Sequence, residues 1–401
     1  MNLINAALTS DTKRLRIVIP GGSGQVGQIL ARHFHGQGHS VTVLSRRQES
    51  APWRTTSWNG RDLGSWTQEI DGADVVINMA GQSVNCRYTE ANRREIMDSR
   101  ILSTRAIGQA IAQASRPPAL WMNASTATIY RHALDRPMDE ATGELGGNEP
   151  DSPSTWRFSI DVATSWEREF FVAVTPATRK IALRSAIIMS PGQGGPFSIL
   201  LRLVRLGLGG KAASGDQFVS WVHDADFVRA IEFLIAHEAL DGCINVSAPG
   251  PLPNHEFMRV LRQAWGARIG LPATKWMLEV GAFFLRTETE LILKSRRVIP
   301  QRLPDAGFEF RFSDWPSPAR RAIWLIAGAN SSIGPICRMQ PTSLVATGSI
   351  SFSETKHRCA FDASSSSGLL INHAHNYGSF GFQHLPPGYL LDLHSRELKI
   401  L

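Results

Sequence analysis

The stretch Arg16-Ile-Val-Ile-Pro-Gly-Gly-Ser-Gly-Gln-Val-Gly-Gln-Ile-Leu-Ala31 decides how this chain is read, because a short apolar run passes through spaced glycines into an amphipathic repeat. Gly22, Gly24 and Gly27 have the G-x-G-x-x-G spacing, and Gly21, Gly24 and Gly27 the wider G-x-x-G-x-x-G spacing. The run predicts a buried strand, and Val26, Ile29, Leu30 and Phe34 predict the apolar face of a helix behind it. Glycines at such a junction let the chain turn sharply, let backbone N–H groups approach a pyrophosphate, and let the helix pack closely on the strand. Gly21, Gly22, Ser23, Gly24, Gln25, Val26 and Gly27 are therefore candidate dinucleotide-binding residues, backed by the positive end of the helix dipole.

Outward from this loop, His39–Leu44 predicts a second strand, followed by Ser45-Arg46-Arg47. Folds that prefer NAD place an acidic residue here for the ribose 2′-hydroxyl. Two guanidinium groups instead suit a 2′-phosphate, so Arg46 and Arg47 favour NADP(H) over NAD(H). Gln48–Gly64 is turn-rich, and Asp74-Val-Val-Ile-Asn-Met-Ala-Gly81 predicts a buried strand ending in small residues. Asn78, Ala80 and Gly81 are candidates for lining the floor beneath a bound nucleotide.

Glu90–Ala114 predicts a long helix and Leu120–Thr126 a strand whose carboxyl end carries Ser125. In open α/β sheets ligands bind at the carboxyl ends of the strands, which makes Ser125 a candidate catalytic hydroxyl. Further on, the pattern predicts a loop over Asp135–Thr155, a helix over Ser159–Val172, one strand over Lys180–Met189 and a helix over Phe197–Leu206. Asp224 or Asp226 is expected to cap a helix over Phe227–His237. Cys243–Ser247 predicts a strand, Asn254–Trp265 and Thr274–Arg286 helices, and Gly307–Phe312 an alternating strand. The fold class is α/β, a doubly wound parallel sheet.

At 401 residues the chain has room for two domains. The formal net charge is +7, but Lys and Arg are scattered and no basic block carries interleaved aromatics, so no nucleic-acid partner is expected. No apolar run is long enough for a membrane span, and Met1–Arg14 lacks a secretory apolar core. Cys86, Cys243, Cys337 and Cys359 form no C-x-x-C pair, as expected of free thiols in a reducing, cytoplasmic setting. No metal site is expected, since His373 and His375 have no partnering Cys or carboxylate cluster.

These pieces together resemble the extended short-chain dehydrogenase/reductases, and within them the atypical NAD-dependent epimerase/dehydratase-like branch that carries a C-terminal domain of unknown function. The resemblance runs from Arg16 to Ile323. It rests on Gly21–Gly27, Asn78-Met-Ala-Gly81, Asp98-Ser-Arg100, Asn123-Ala-Ser125, Leu183-Arg-Ser185 with Pro191, Ser220–Asp226, and Arg297–Leu303 with Ala306–Phe310. It implies a Rossmann domain over residues 14–248, with a substrate-side insertion near 191–211. A smaller, mostly helical substrate domain over 249–326 follows, and then a disordered tail outside the family over 327–401.

Extended members of the superfamily carry a Tyr-x-x-x-Lys pair, in which the lysine lowers the tyrosine pKa, whereas in the branch this chain resembles its loss looks typical and a Ser-Arg pair recurs, here at Ser99-Arg100. Here the tyrosine slot falls at Phe158 or Ser159 and the lysine slot at Val162 or Ala163, and the asparagine slot at Ser99. None of Tyr88, Tyr130, Tyr377 and Tyr389 has a lysine four residues on. Pro20 also departs from the Thr or Gly usual before the glycines, removing one N–H.

The expected function is an NADP(H)-binding epimerase or oxidoreductase acting on a small polar substrate resembling a sugar nucleotide. Ser125 would carry turnover and Arg100 would clamp an anionic group, with His223 as a possible base. The alternative is a non-catalytic NADP(H)-binding protein acting through a partner surface.

Overall fold

The computed structural model describes residues 13–48, 50–150, 152–190, 195–285, 288–315 and 319, together with strand fragments at 359–360, 370–371, 389–392 and 397–400. Two units divide the chain, Met1–Ser331 and Ser332–Leu401. In the second, Cys359–Ala360 pairs antiparallel with Leu370–Ile371, and Tyr389–Asp392 with Glu397–Ile400. The expectation of disorder over 327–401 otherwise falls outside the described residues.

The first unit is built on one parallel sheet. Strand β1 (Arg16–Pro20) leads into helix α1 (Gln25–Gly36), β2 (Ser40–Ser45) and β3 (Arg54–Ser57). Short α2 (Thr67–Ile70) precedes β4 (Val75–Asn78), the long α3 (Glu90–Gln113) and β5 (Leu120–Thr126). A 3-10 turn (Ala127–Ile129), α4 (Ser154–Val172) and β6 (Arg179–Ser185) follow. The chain then makes β7 (Ile187–Met189), α5 (Pro196–Arg205), β8 (Phe218–Val219), β9 (Trp221–His223), α6 (Asp224–Ala236) and β10 (Gly242–Val246). It ends with β11 (Leu252–Pro253), α7 (Asn254–Trp265), α8 (Lys275–Leu285), α9 (Glu290–Leu293) and α10 (Arg302–Asp305).

The sheet order is β10-β6-β5-β4-β1-β2-β3, with every pairing parallel. Strand order reverses at β1, which lies between β2 and β4, and a crevice opens at the carboxyl ends of such a switch point. Alternate residues of each strand feed two cores. Ile17, Ile19, Ile77 and Met122 meet Leu30, Phe34, Phe227 and Leu234 of α1 and α6 on one face. Val18, Val76 and Trp121 meet Ala106, Ile107, Ala110 and Phe170 of α3 and α4 on the other. Both faces are covered, so these strands are nearly continuous in apolar residues rather than alternating.

Four expectations change. Arg54–Ser57 is a strand inside the supposed turn-rich stretch, because its backbone completes β2 from Thr42↔Arg54 to Ser45↔Ser57. Helix α4 begins at Ser154, five residues before the predicted start. The single strand predicted over Lys180–Met189 breaks at Ala186, whose N–H bonds Val246, while Ile187 turns to pair with Trp221 of β9. Gly307–Phe312 joins no sheet; the buried carboxylate of Asp226 instead accepts the N–H groups of Arg311 and Phe312 at 3.0 and 2.8 Å.

A third core joins α5, β9 and α7 through Phe197, Leu201, Trp221, Phe257 and Leu261. Trp315 stacks on Phe257 with ring centres 4.1 Å apart. The predicted insertion near 191–211 and the C-terminal segment thus share one apolar nucleus.

Candidate active site at the carboxyl rim of the sheet

The glycine loop sits at the end of β1, and each glycine is required for a different reason. Gly21 adopts φ +72°, and a Cβ there would lie 2.5 Å from the Ala80 backbone. A Cβ on Gly22 would strike Val43 at 2.7 Å, and one on Gly27 would strike the Gly22 backbone at 2.4 Å. Gly24 differs, since its φ is an ordinary −69° and its Cβ would approach nothing closer than Gly21 O at 3.4 Å. Space in front of Gly24 is open at the N-terminus of α1, whose first-turn N–H groups have no acceptor within the helix. That is a cradle a Cβ would narrow, and it suits a pyrophosphate.

Ser23 reaches sideways, its Oγ accepting from Ser45 Oγ at 3.1 Å, and Gln25 lies against Gly195 at the start of α5. Val26 packs on the α1 face of the sheet. Asn78 is fully buried, donating to Asn123 Oδ1 at 2.7 Å and accepting the Ala80 N–H at 3.0 Å. It therefore holds the turn under Gly21 rather than facing a ligand. Ala80 is buried and Gly81 exposed, with the Arg100 guanidinium 3.1 Å from where a Gly81 Cβ would stand.

Beside the loop is a cavity of about 240 Å³ lined by Ser23, Arg32, Ser45, Trp53 and Thr55 among others. Arg46 and Arg47 follow β2 as exposed side chains. Sequence reading passed over Arg32, which looks like any solvent-facing helix residue until α1 is laid beside β2.

Arg100 donates to the carbonyls of Gln82 and Ile96, both at 3.0 Å, and lies over the Trp166 ring at 5.0 Å. Burial lowers its pKa to about 10, so it remains a cation at neutral pH. Ser125 is 7% exposed, and its hydroxyl donates to Glu167 at 2.6 Å. Glu167 in turn holds Arg184 with two hydrogen bonds at 2.8 and 2.7 Å, and Arg184 donates to the Tyr130 hydroxyl. Burial alone would lower the Arg184 pKa, but the Glu167 hydrogen bonds and charge raise it. The Ser125 hydroxyl hydrogen is thus engaged behind the rim, whereas the next hydroxyl, Thr126, is half-buried at the end of β5 and accepts the Thr128 N–H.

His223 takes a role expected of its neighbours. It is 2% exposed, caps α6 by accepting the Ala225 N–H, and stacks on Phe312 with centres 4.0 Å apart. Asp224 and Asp226 do not cap the helix.

Lys294 is buried and donates to Thr128 O at 2.7 Å. Burial and the nearby Arg296 lower its pKa from 10.5 to about 7. Between those values the unfolded chain binds the extra proton, so stability rises with pH through that window and the penalty is complete below it. Lys294→Met is expected to raise stability at neutral pH and flatten its rise, by up to about 1.4 kcal/mol per pH unit. Urea melts below and above neutrality check this; an unchanged slope contradicts it.

Among the described residues no group of His, Cys, Asp and Glu is placed to hold a metal, and no helix is long and apolar enough to cross a membrane. Residues 17–247 match the model of the NAD dependent epimerase/dehydratase family, and residues 273–321 match a domain of unknown function, DUF1731. The human epimerase family protein SDR39U1 is 29% identical over 306 residues, 75% of this chain and 97% of that one. An epimerase family protein of Staphylococcus epidermidis is 29% identical over 299 residues, 75% of this chain and 96% of its own. Among solved structures, human SDR39U1 (isoform 2) with NADPH superposes with a TM-score of 0.67 and 26% identity, covering 77% of this chain and 99% of that chain. The nucleoside-diphosphate sugar epimerase from Corynebacterium glutamicum gives 0.60 and 25%, covering 77% of this chain and 58% of that chain. Seven parallel strands, a glycine loop open at Gly24 and these matches lead to one conclusion: the chain belongs to the NAD dependent epimerase/dehydratase family.

Proposed function

We propose that this protein is an NADP(H)-dependent epimerase or oxidoreductase acting on a small polar substrate of sugar-nucleotide type. Residues 14–248 would hold the cofactor and 249–326 would shape the substrate side. The observation that carries the reading is the open space in front of Gly24, where Gly21, Gly22 and Gly27 are all closed by packing. A bound nicotinamide supplies the hydride chemistry. The chain's own residues do the rest: the α1 N-terminus receives the pyrophosphate, and Arg100 clamps an anionic substrate group.

Three cations, Arg32, Arg46 and Arg47, which have no side-chain partner among the described residues, flank the cavity and the end of β2, and they support a preference for the 2′-phosphate. The human relative whose structure carries NADPH supports it too. The Corynebacterium relative, a nucleoside-diphosphate sugar epimerase by name, supports the substrate class. NADPH is expected to bind more tightly than NADH, and Arg32→Ala or Arg46→Ala to cost about 1.5–3 kcal/mol for NADPH with little effect on NADH. Calorimetry decides it; equal affinities for the two cofactors, unmoved by either substitution, sink the preference.

Turnover is tested by incubating the protein with NADP+ or NADPH and UDP-glucose, UDP-N-acetylglucosamine or simple ketones and aldehydes. Arg100→Ala is expected to abolish most of it. Ser125→Ala should act chiefly through Glu167, losing about 1–2 kcal/mol of stability. A second reading, a non-catalytic NADP(H)-binding protein, is favoured by one observation: α4 carries Phe158 and Ser159, Val162 and Ala163 at the slots where the resemblance puts a tyrosine and a lysine. Tight NADPH binding with no turnover on any of these compounds would select it.

A further inference from the structure

The chemistry beside the empty tyrosine slot is not inert. Ser159 Oγ donates a short hydrogen bond to Oε2 of Glu290, the first residue of α9, and the Tyr88 hydroxyl lies 3.4 Å from the same Ser159 oxygen. Tyr88 precedes α3 in the segment that leaves the carboxyl end of β4, so a phenol reaches α4 from a different element. Its ring is held by Phe158, at 5.1 Å between centres. Tyr88 is 9% exposed and Glu290 1%.

Behind Glu290 stands Arg296, 7% exposed, with Nη2 3.5 Å from Glu290 Oε1. Neither atom has a hydrogen-bond partner among the described residues. Among the described residues, the other charges acting on Glu290 include Lys294 and Glu288 of its own segment. A buried carboxylate and a buried guanidinium left part-satisfied weaken a fold, and such pairs beside a cleft are candidates for a functional role.

We propose that Tyr88, Ser159 and Glu290 form a proton relay that opens on the crevice at the Tyr88 hydroxyl and stands in for the absent Tyr-x-x-x-Lys pair. The proposal rests on the reading of the chain as a nicotinamide-dependent enzyme. When a substrate alcohol is oxidised, its carbon-bound hydrogen leaves with the electron pair as hydride to the oxidised nicotinamide dinucleotide. The hydroxyl proton passes to the Tyr88 oxygen, the Tyr88 proton to Ser159 Oγ, and the Ser159 proton to Glu290 Oε2. Three O–H bonds break and three form; Glu290 ends neutral, and neither Tyr88 nor Ser159 is ever charged. Reduction of a carbonyl runs the same path backwards.

Burial fits this order. It pushes the Tyr88 phenol up to about 12, which disfavours a phenolate, and it raises the Glu290 carboxyl, which makes that carboxylate the better proton store. Tyr88 is then the catalytic residue, while Ser159 and Glu290 act through it.

The full chain is mixed with NADP+ in weakly buffered solution containing a pH indicator, and proton release is followed by stopped flow. The positive nicotinamide favours ionised Glu290, so wild type should release a fraction of a proton per site at a pH above the ordinary carboxylate range, located by scanning pH, and NADPH should release less. Glu290→Gln should abolish the release. Tyr88→Phe and Ser159→Ala keep Glu290 but break its path, so they should release the same amount roughly tenfold or more slowly. Unchanged NADPH affinity in all three variants shows that the site is intact. No release in wild type, release that survives Glu290→Gln, or wild-type rates in Tyr88→Phe and Ser159→Ala would overturn the relay. If wild type binds neither dinucleotide, the nicotinamide reading itself fails and the relay falls with it.

Discussion

Replacing Glu167 by alanine is expected to cost about 3–5 kcal/mol of folding stability, because it strands the buried Arg184 guanidinium without its carboxylate. Glu167 also accepts from Ser125 at 2.6 Å and from the Cys243 thiol at 3.7 Å, so one substitution disturbs α4, β5, β6 and β10 together. Burial and the Glu167 charge push the Cys243 thiol up to about 11, which keeps it protonated beside the carboxylate. The double variant Glu167→Leu, Arg184→Met removes both charges, and it should cost clearly less than the Glu167→Ala single variant. Urea denaturation measures both; a Glu167→Ala loss below about 1 kcal/mol would show that water reaches and solvates Arg184.

Gly24→Val and Gly27→Val should part company. A side chain on Gly24 meets only Gly21 O, and valine is compatible with its φ of −69°, so the variant should fold. It would fill the space where N–H groups receive phosphate, and NADPH affinity should fall about 100-fold or more, about 2.8 kcal/mol. Gly27→Val instead drives a branched side chain into the Gly22 backbone at 2.4 Å, and should lose the fold of the loop as well as binding. Circular dichroism with calorimetry separates the two. A folded Gly24→Val that binds NADPH as wild type does would move the site elsewhere.

Much of the sheet was legible because strands buried on both faces are runs of Val, Ile and Leu bounded by Gly, Pro and Asn, as at Arg16–Pro20 and Val75–Asn78. Strand Arg54–Ser57 has no such run; it is extended because β2 offers it a free edge, and a single sequence carries no sign of that edge. The glycine loop could be read for a similar reason, since the fit is made by absent side chains within seven residues. Ser125 was legible as a hydroxyl at a strand end but not as a donor to Glu167. That contact spans 42 residues and depends on which face α4 turns to the sheet. Tyr88 and Ser159 were legible one by one, but their meeting with Glu290 was not, since the three are far apart in sequence and the nearest pair is 71 residues apart. His223 shows the converse: its place in a motif suggested chemistry, and burial under Phe312 assigned it to a helix end.

Helix α4 divides its labour along its length. Its second half is fastened below the rim, with Trp166 donating to Thr104 at 2.9 Å, Glu167 paired with Arg184, and Phe170 packed edge-on to Trp121. Its first half carries the slots Phe158, Ser159, Val162 and Ala163. A lineage can therefore exchange the reacting groups at one end of this helix without loosening the foundation at the other.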